Sequence, residues 1–250
     1  MSAESINEPG APGAPPTTRG KTGWRRLVDV PVLFVAAGVS LVTGLLLAFW
    51  VAPEEASMGF PYRILYYHAP IAWSALLGYL VACVAGILYL RSRDARWDRL
   101  GMCGVRLGLL FSVLVMATGM IWGKASWGVW WNWEPRLTTF LIACLLYCGY
   151  FVLRATVEEE ERRATFAAVF ALIAFIDVPI TFLSTRVLPQ GGMLHPPNVA
   201  EGGGLTGSML AALLVSMAGM TLLFFALLRN DLRVERLKEE LAYIKNKLGS

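Results

Sequence analysis

The sequence predicts an all-α integral membrane protein, a bundle of six transmembrane helices with both termini in the cytoplasm. The 250-residue chain is 56% hydrophobic and only 16% charged, and its mean hydropathy is +0.55. It contains six apolar runs, and a run of about twenty residues is long enough to cross a bilayer as a helix. Its Lys and Arg residues are distributed unevenly between the connections on the two sides. This is not the composition of an ordinary soluble domain.

The six apolar runs cover residues 31–51, 71–90, 100–121, 137–153, 164–183 and 208–228. Together they define a membrane domain over residues 30–228. Pro70 directly precedes the second run, and proline suits the first turn of a helix. We therefore expect the second helix to begin at about residue 71.

Both ends of the chain differ from this domain. Residues 1–29 begin with a stretch rich in Pro, Gly, Ala and Thr, which predicts a disordered cytoplasmic tail. Residues 229–250 carry apolar side chains at alternating spacings of three and four, with Glu and Lys between them, which predicts an amphipathic helix. That helix fits a solvated helix end and a docking site for a partner equally well. Its apolar positions are Val234, Leu237, Leu241, Ile244 and Leu248.

The positive charges predict the orientation. With a cytoplasmic N-terminus, 17 of the 22 Lys and Arg residues fall in cytoplasmic segments, 4 fall in outer loops, and Arg106 lies within the third run. Positive residues concentrate on the cytoplasmic side of membrane proteins. The outer four are Arg63, Lys124, Arg136 and Arg186. The same orientation places His68, His195 and a tryptophan-rich segment outside.

That segment, residues 122–138, is WGKASWGVWWNWEPRLT and holds five of the nine tryptophans. Aromatic belts at membrane interfaces explain isolated tryptophans, but not five in one loop. Gly123 and Gly128 allow the backbone to turn. We interpret the segment as a flat aromatic platform for a planar ligand, neither a core helix nor part of a span. The five are Trp122, Trp127, Trp130, Trp131 and Trp133.

The chain has two histidines, His68 and His195. Imidazole is a good axial ligand for haem iron, and two would complete a six-coordinate site. A porphyrin would suit the tryptophans, and its propionates would need the outer cations. The alternative for each histidine is an interfacial hydrogen-bonding residue without a metal. Glu134 fits either an ion pair with Arg136 or the orientation of a ligand.

Asp177 lies inside the fifth run, where an ionisable side chain is costly and is by default a functional candidate. Pro179 should bend the helix and free a carbonyl nearby, so a protonated, hydrogen-bonded Asp177 is an equal possibility. The chain shows no nucleophile–base pair and no nucleotide-binding glycine loop. Any use of ATP must therefore come from partners.

Residues 122–138 resemble the "WWD" signature of bacterial haem-handling proteins. The stretch YRILYYHAP at residues 62–70, the segment around Pro179 and a histidine after the fifth run extend the likeness over roughly residues 30–228. They narrow it to the haem exporter protein C (CcmC) family of cytochrome c maturation proteins. The family motif usually carries Asp where this chain has Glu134.

The resemblance implies that His68 and His195 ligate the iron of haem b on a platform of the five tryptophans. Glu134, Arg136, Lys124 and Arg63 complete the implied binding site. The implied protein is a haem-binding and transfer protein of the bacterial cytoplasmic (inner) membrane, not an enzyme. It would deliver haem to the periplasmic chaperone CcmE for c-type cytochrome biogenesis. Its other implied partners are the ABC transporter subunits CcmA and CcmB, the small subunit CcmD and membrane lipid, with no nucleic acid.

Two further functions stay open at this point. One is a haem lyase-like cytochrome c synthase that joins haem to apocytochrome, although two histidines in 250 residues argue against it. The other is a proton-coupled transporter of small solutes that uses Asp177. That function leaves the tryptophans unexplained.

Overall fold

The computed structural model describes residues 30–187 and 205–248, which form seven α-helices. A π-helical turn, Leu47–Val51, extends α1, and a 3₁₀ turn, Phe60–Ile64, leads into α2. The helices are α1 (Val30–Leu46), α2 (Leu65–Ser92), α3 (Ala95–Trp127), α4 (Pro135–Thr156), α5 (Glu160–Phe175), α6 (Asp177–Val187) and α7 (Gly207–Leu248). The predicted tail over residues 1–29 lies outside the described residues, and so does His195.

Six segments of the described chain are long and apolar enough to cross a membrane, which confirms the six predicted spans. The protein is thus an all-α, multi-pass membrane protein. The segments are Val30–Val51, Phe60–Ser92, Ala95–Trp127, Pro135–Thr156, Glu160–Ser184 and Gly207–Leu248. The cytoplasmic position of both termini stays a prediction.

Helices α2 and α3 form the centre of the bundle, with α1 packed along α7 and α4 packed against α5 and α6. The α2–α3 contact is close because glycines face each other. A Cβ added to Gly78 would lie 2.5 Å from the backbone nitrogen of Gly108. Small residues at such crossings let two membrane helices approach backbone to backbone. The hairpin of α2 and α3 is consequently the rigid frame for side chains that point from one helix to the other.

The second helix begins earlier than the position of Pro70 predicts. α2 starts at Leu65, so Pro70 lies inside the helix and the expected start at residue 71 is wrong. A proline removes one hydrogen bond, to the carbonyl four residues earlier. Leu65 and Tyr66 are 3% and 1% exposed, and their packing stabilises the first turn in spite of that loss.

The fifth span is interrupted as Pro179 predicts. α5 ends at Phe175, and α6 begins at Asp177. Pro179 has no N–H to donate to the carbonyl of Phe175, so the helical hydrogen-bond ladder stops there. The helix is therefore interrupted at Ile176, whereas the predicted bend itself stays a prediction.

The predicted C-terminal amphipathic helix is the continuation of the sixth membrane helix, since α7 runs for 42 residues. Arg106 of α3 pairs with Asp231 (Nη1–Oδ1, 2.6 Å) and Glu235 (Nη1–Oε1, 3.1 Å). Arg99 pairs with Glu239. These ion pairs attach the end of α7 to the start of α3.

Candidate functional site

A cavity of about 380 Å³ lies at the end of the bundle where α3 stops and α4 begins, here called the tryptophan end. Its wall is built from α2, α3, α4, α6 and α7 together with the connection 128–134. Most of the wall is aromatic or aliphatic, with a few polar groups. This volume and this chemistry are typical of sites for small organic ligands.

Two of the five clustered tryptophans belong to a helix. α3 continues to Trp127, so Trp122 and Trp127 occupy its last turns, and the interpretation of the segment as separate from any core helix is wrong there. Trp122 is 2% exposed. The apolar character of tryptophan extends the third span by about a turn and a half beyond residue 121.

The tryptophan rings do not lie in one plane, so the segment is not a flat platform. The rings of Trp122 and Trp127 are 6.0 Å apart and tilted by 35°, and those of Trp131 and Trp133 are 5.6 Å apart at 81°. Trp122, Trp127, Trp130 and Trp131 contribute to the cavity wall. Trp133 packs behind Trp131 and is 72% exposed. The cluster therefore divides into four wall residues and one outer residue.

The connection 128–134 is fixed at both of its ends. Gly128 has φ +76°, a left-handed conformation that favours glycine, and its N–H donates to the carbonyl of Lys124 at 3.1 Å. Lys124 Nζ in turn donates to the carbonyl of Gly128 at 2.9 Å. At the other end, Pro135 occupies the first turn of α4, where proline is well tolerated. The tryptophans of the connection thus stand on a short, doubly anchored loop.

His68 lies inside the bundle and contributes to the cavity wall. It is 8% exposed, and its Nδ1 is 2.8 Å from Oγ1 of Thr118 on α3. The ring of Trp122 approaches it at a steep angle, with centroids 5.6 Å apart. His68 is hydrogen-bonded, as the non-metal alternative expects, and it is buried among the helices. No sequence pattern pointed to Thr118, which is 50 positions away from His68 and is placed by the α2–α3 hairpin.

The predicted cations occupy different surroundings. Arg136 contributes to the cavity wall, and its Cζ lies 5.9 Å from the centroid of the Phe182 ring. Arg63 stacks on the rings of Phe49 and Phe60 and donates to the carbonyl of Phe49 at 3.1 Å. Neither Arg63 nor Lys124 contributes to the wall. The side chain of Arg186 is not among those described.

The two acidic candidates also separate. Glu134 is 5% exposed and contributes to the cavity wall, two positions before Arg136 in the chain. Asp177 begins α6 and does not contribute to the wall, although Val178 and Thr181 of the same helix do. The structure therefore brings together His68, four tryptophans, Glu134 and Arg136. It leaves out Trp133, Lys124, Arg63 and Asp177.

Six segments long and apolar enough to cross a membrane, five of which contribute to a tryptophan-lined cavity with a buried histidine, define a multi-pass membrane protein with a cavity suited to an apolar ligand. Comparison with known proteins narrows this class. The chain belongs to the heme exporter protein C family, whose sequence profile matches residues 22–246. The resemblance inferred from the tryptophan motif is thereby confirmed.

Individual relatives agree with the family assignment. Heme exporter protein C of Paracoccus denitrificans (strain Pd 1222) is 31% identical over 220 residues, which cover 85% of this chain and 90% of that protein. The Haemophilus influenzae protein of the same name is 33% identical over 214 residues, 82% of each chain. That of Escherichia coli (strain K12) is 30% identical over 176 residues, 69% of each chain.

Proposed function

We propose that this protein binds haem b at the periplasmic face of the bacterial cytoplasmic membrane and delivers it to a haem chaperone for c-type cytochrome biogenesis. Membership of the heme exporter protein C family supports haem handling in general. The observation that carries the proposal is His68, a buried imidazole in the wall of a tryptophan-lined cavity. An apolar cavity with one good iron ligand matches the chemistry of a porphyrin.

Each part of the wall has a role in this proposal. His68 supplies one axial ligand to the iron, and His195, on the connection between α6 and α7, supplies the other. The faces of the wall tryptophans contact the porphyrin plane, and each aromatic contact contributes roughly 0.5–1.5 kcal/mol beyond burial. Arg136 pairs with a propionate, because guanidinium binds carboxylate with two parallel hydrogen bonds. Glu134, buried beside it, keeps the arginine side chain oriented.

The distribution of charge supports the orientation. The end of the bundle opposite the cavity carries Arg154, which pairs with Asp98 through two hydrogen bonds of 2.5 and 2.9 Å. It also carries the α3–α7 pairs of Arg99 and Arg106. Concentration of arginine at that end fits a cytoplasmic location under the positive-inside rule. The cavity then opens toward the periplasm.

The partners follow from the resemblance. CcmE receives the haem, CcmA and CcmB form the ATP-driven transporter, and CcmD is the small helical subunit of the assembly. In this proposal the chain has no catalytic step of its own, and haem is its cargo. The lyase-like alternative differs in one measurable way, because a synthase would join haem to apocytochrome without CcmE.

The absorbance spectrum of the purified protein tests haem binding. With ferric haem added, we expect the spectrum of a six-coordinate, low-spin iron, and its loss in His68→Ala and in His195→Ala. Trp97→Phe, at the other end of the bundle, is the control and should keep the spectrum. The proposal is refuted if the wild-type protein shows no such spectrum and both histidine variants still support cytochrome c maturation.

A further inference from the structure

Thr118 of α3 faces His68 across the α2–α3 contact and bonds its Nδ1 atom. We infer that Thr118 is a positioning residue that holds His68 in one tautomer, with the proton on Nδ1 and the lone pair on Nε2. The geometry of this hydrogen bond is observed, whereas its role in iron ligation rests on the proposed haem binding. Thr118 itself touches no ligand in this inference and acts through His68.

The hydrogen bonds of the threonine hydroxyl determine the tautomer. The Thr118 hydroxyl donates to the carbonyl of Leu114 at 2.8 Å, and the carbonyl of Val115 is a second, more distant acceptor at 3.2 Å. A hydroxyl has one proton, so a hydroxyl that donates to the backbone can only accept from a third group. Nδ1 of His68, 2.8 Å away, must then be the donor. A neutral imidazole carries one N–H, which leaves the lone pair on Nε2.

The ring is also held in place by its neighbours on α3. A Cβ added to Gly119 would lie 3.2 Å from Cε1 of His68, closer than an ordinary van der Waals contact. Trp122, one turn further along, packs against the ring. Thr118, Gly119 and Trp122 therefore contact the imidazole from one face of one helix. Glycine at position 119 gives the ring the room to reach the hydroxyl.

This arrangement prepares His68 for a metal. Histidines that bind a metal through one nitrogen nearly always donate the other N–H to a fixed acceptor, which sets the tautomer and raises the basicity of the ligating nitrogen. Here the acceptor is a hydroxyl whose own proton goes to a carbonyl, and hydrogen bonds in such a chain strengthen one another. A hydroxyl that donated to Nδ1 instead would place the proton on Nε2 and block ligation.

Nuclear magnetic resonance of the ligand-free protein tests the tautomer directly. In a His195→Ala background, ¹⁵N-labelled histidine reports on His68 alone, at a mildly alkaline pH that keeps it neutral. We expect the Nδ1–H form in the parent and in Thr118→Ser, which keeps the hydroxyl, and a shift toward Nε2–H in Thr118→Val, which keeps the shape. An Nε2–H signal in the parent, or no change in Thr118→Val, overturns the inference.

Titration with ferric haem tests whether the hydrogen bond between Thr118 and His68 serves haem binding. Losing an outer-shell partner typically lowers metal affinity roughly 10- to 100-fold, so we expect a fall of that size in Thr118→Val with recovery in Thr118→Ser. The midpoint potential of bound haem should rise in Thr118→Val, because a less basic ligand stabilises ferric iron less. Thr43→Val is the control, since Thr43 makes the same bond to the carbonyl four residues earlier but lies on α1, which contributes nothing to the cavity wall.

The two experiments separate the inference from the proposed function. Equal haem affinity and potential in wild type and Thr118→Val would show that Thr118 does not position the ligand. An Nδ1–H signal, combined with no haem spectrum in the wild-type protein and normal cytochrome c maturation in the histidine variants, would leave the tautomer assignment standing and refute the proposed function instead. Circular dichroism of Thr118→Val confirms that the variant folds before either comparison is made.

Discussion

Replacing Gly119 by alanine puts one methyl group against His68, and its cost can be worked out from the distances. The new Cβ would lie 3.2 Å from Cε1 of His68. Carbon atoms attract best at about 3.5–4.0 Å, so the methyl is too close by about 0.3–0.8 Å. Either the imidazole or the helix must move by a few tenths of an ångström.

Gly38→Ala on α1 is the matched control, because nothing lies within 4 Å of a Cβ added at that position. Both substitutions gain about 1 kcal/mol of helix propensity. Only Gly119→Ala carries the cost of overpacking, about 1–3 kcal/mol. We therefore expect Gly38→Ala to raise the free energy of unfolding by about 1 kcal/mol. Gly119→Ala should lie about 1–3 kcal/mol below it, which corresponds to about one to two powers of ten in the folding equilibrium.

Reversible unfolding in mixed micelles, followed by circular dichroism, measures both free energies. A haem titration of the same samples measures whether the displaced imidazole still binds iron. Gly119→Ala should bind haem more weakly than wild type, and Gly38→Ala should bind equally well. If Gly119→Ala is as stable as Gly38→Ala and binds haem like wild type, the close packing of His68 on α3 is not what the distances indicate.

Three further predictions concern other parts of the molecule. Trp122→Ala should weaken haem binding by more than tenfold, because its ring contacts His68 and two other aromatic rings, each contact being worth roughly 0.5–1.5 kcal/mol; a haem titration measures this. Arg154→Met should lower the free energy of unfolding by about 1–3 kcal/mol, because it leaves the partly buried carboxylate of Asp98 without its partner. The N–H of Met58 donates to the Glu55 carboxylate and lowers the pKa of that carboxyl. The turn they form should therefore be fully stable above the ordinary glutamate pKa and should loosen as the pH falls through the lowered pKa. Hydrogen exchange of the Met58 amide as a function of pH measures this.

Each of these predictions has a control. Trp97→Ala removes a tryptophan from the opposite end of the bundle and should leave haem affinity unchanged. Replacing both partners, Arg154→Met with Asp98→Leu, should recover most of the lost stability, since neither charge then stays unpaired. Glu55→Gln should abolish the pH dependence of exchange at Met58. Unchanged haem affinity in Trp122→Ala, equal stability of the single and double ion-pair variants, or an unaltered pH profile would contradict the respective arguments.

The number of spans was predictable from the sequence because the bilayer makes hydropathy a strong and local signal. Helix ends were less predictable, since packing overrides local preference. Pro70 lies inside α2 because Leu65 and Tyr66 are buried before it, and Trp127 lies inside α3 because a left-handed Gly128 ends that helix, not the first tryptophan. The start of α2 depends on packing partners that are distant in the chain, whereas the end of α3 depends on a glycine directly after it.

The sequence predicted which types of residue form the candidate site, but not which individual residues of each type line the cavity. Composition could identify outer cations, yet it could not separate Arg136, in the cavity wall, from Arg63, which is held between two phenylalanine rings. The role of Thr118 could not be predicted from the sequence, for a different reason. Threonine is ordinary in a membrane helix, and its contact with His68 exists only because glycines allow α2 and α3 to pack so closely.

The cavity lies where the helical backbone is interrupted. α3 ends at Gly128, α4 starts at Pro135, and the fifth span breaks at Ile176, and each interruption brings wall residues to the cavity. Interrupted backbone inside a membrane is tolerated only where it is buried in protein or lines a cavity. Gly128, Pro135 and Pro179 favour these interruptions at little cost in free energy. His68, in contrast, is placed by the α2–α3 hairpin. A rigid frame thus carries the proposed iron ligand while the ends of the other helices shape the surrounding wall. Substitutions in the frame should therefore alter both ligation geometry and haem affinity, and substitutions in the wall contributed by the other helices should alter affinity alone.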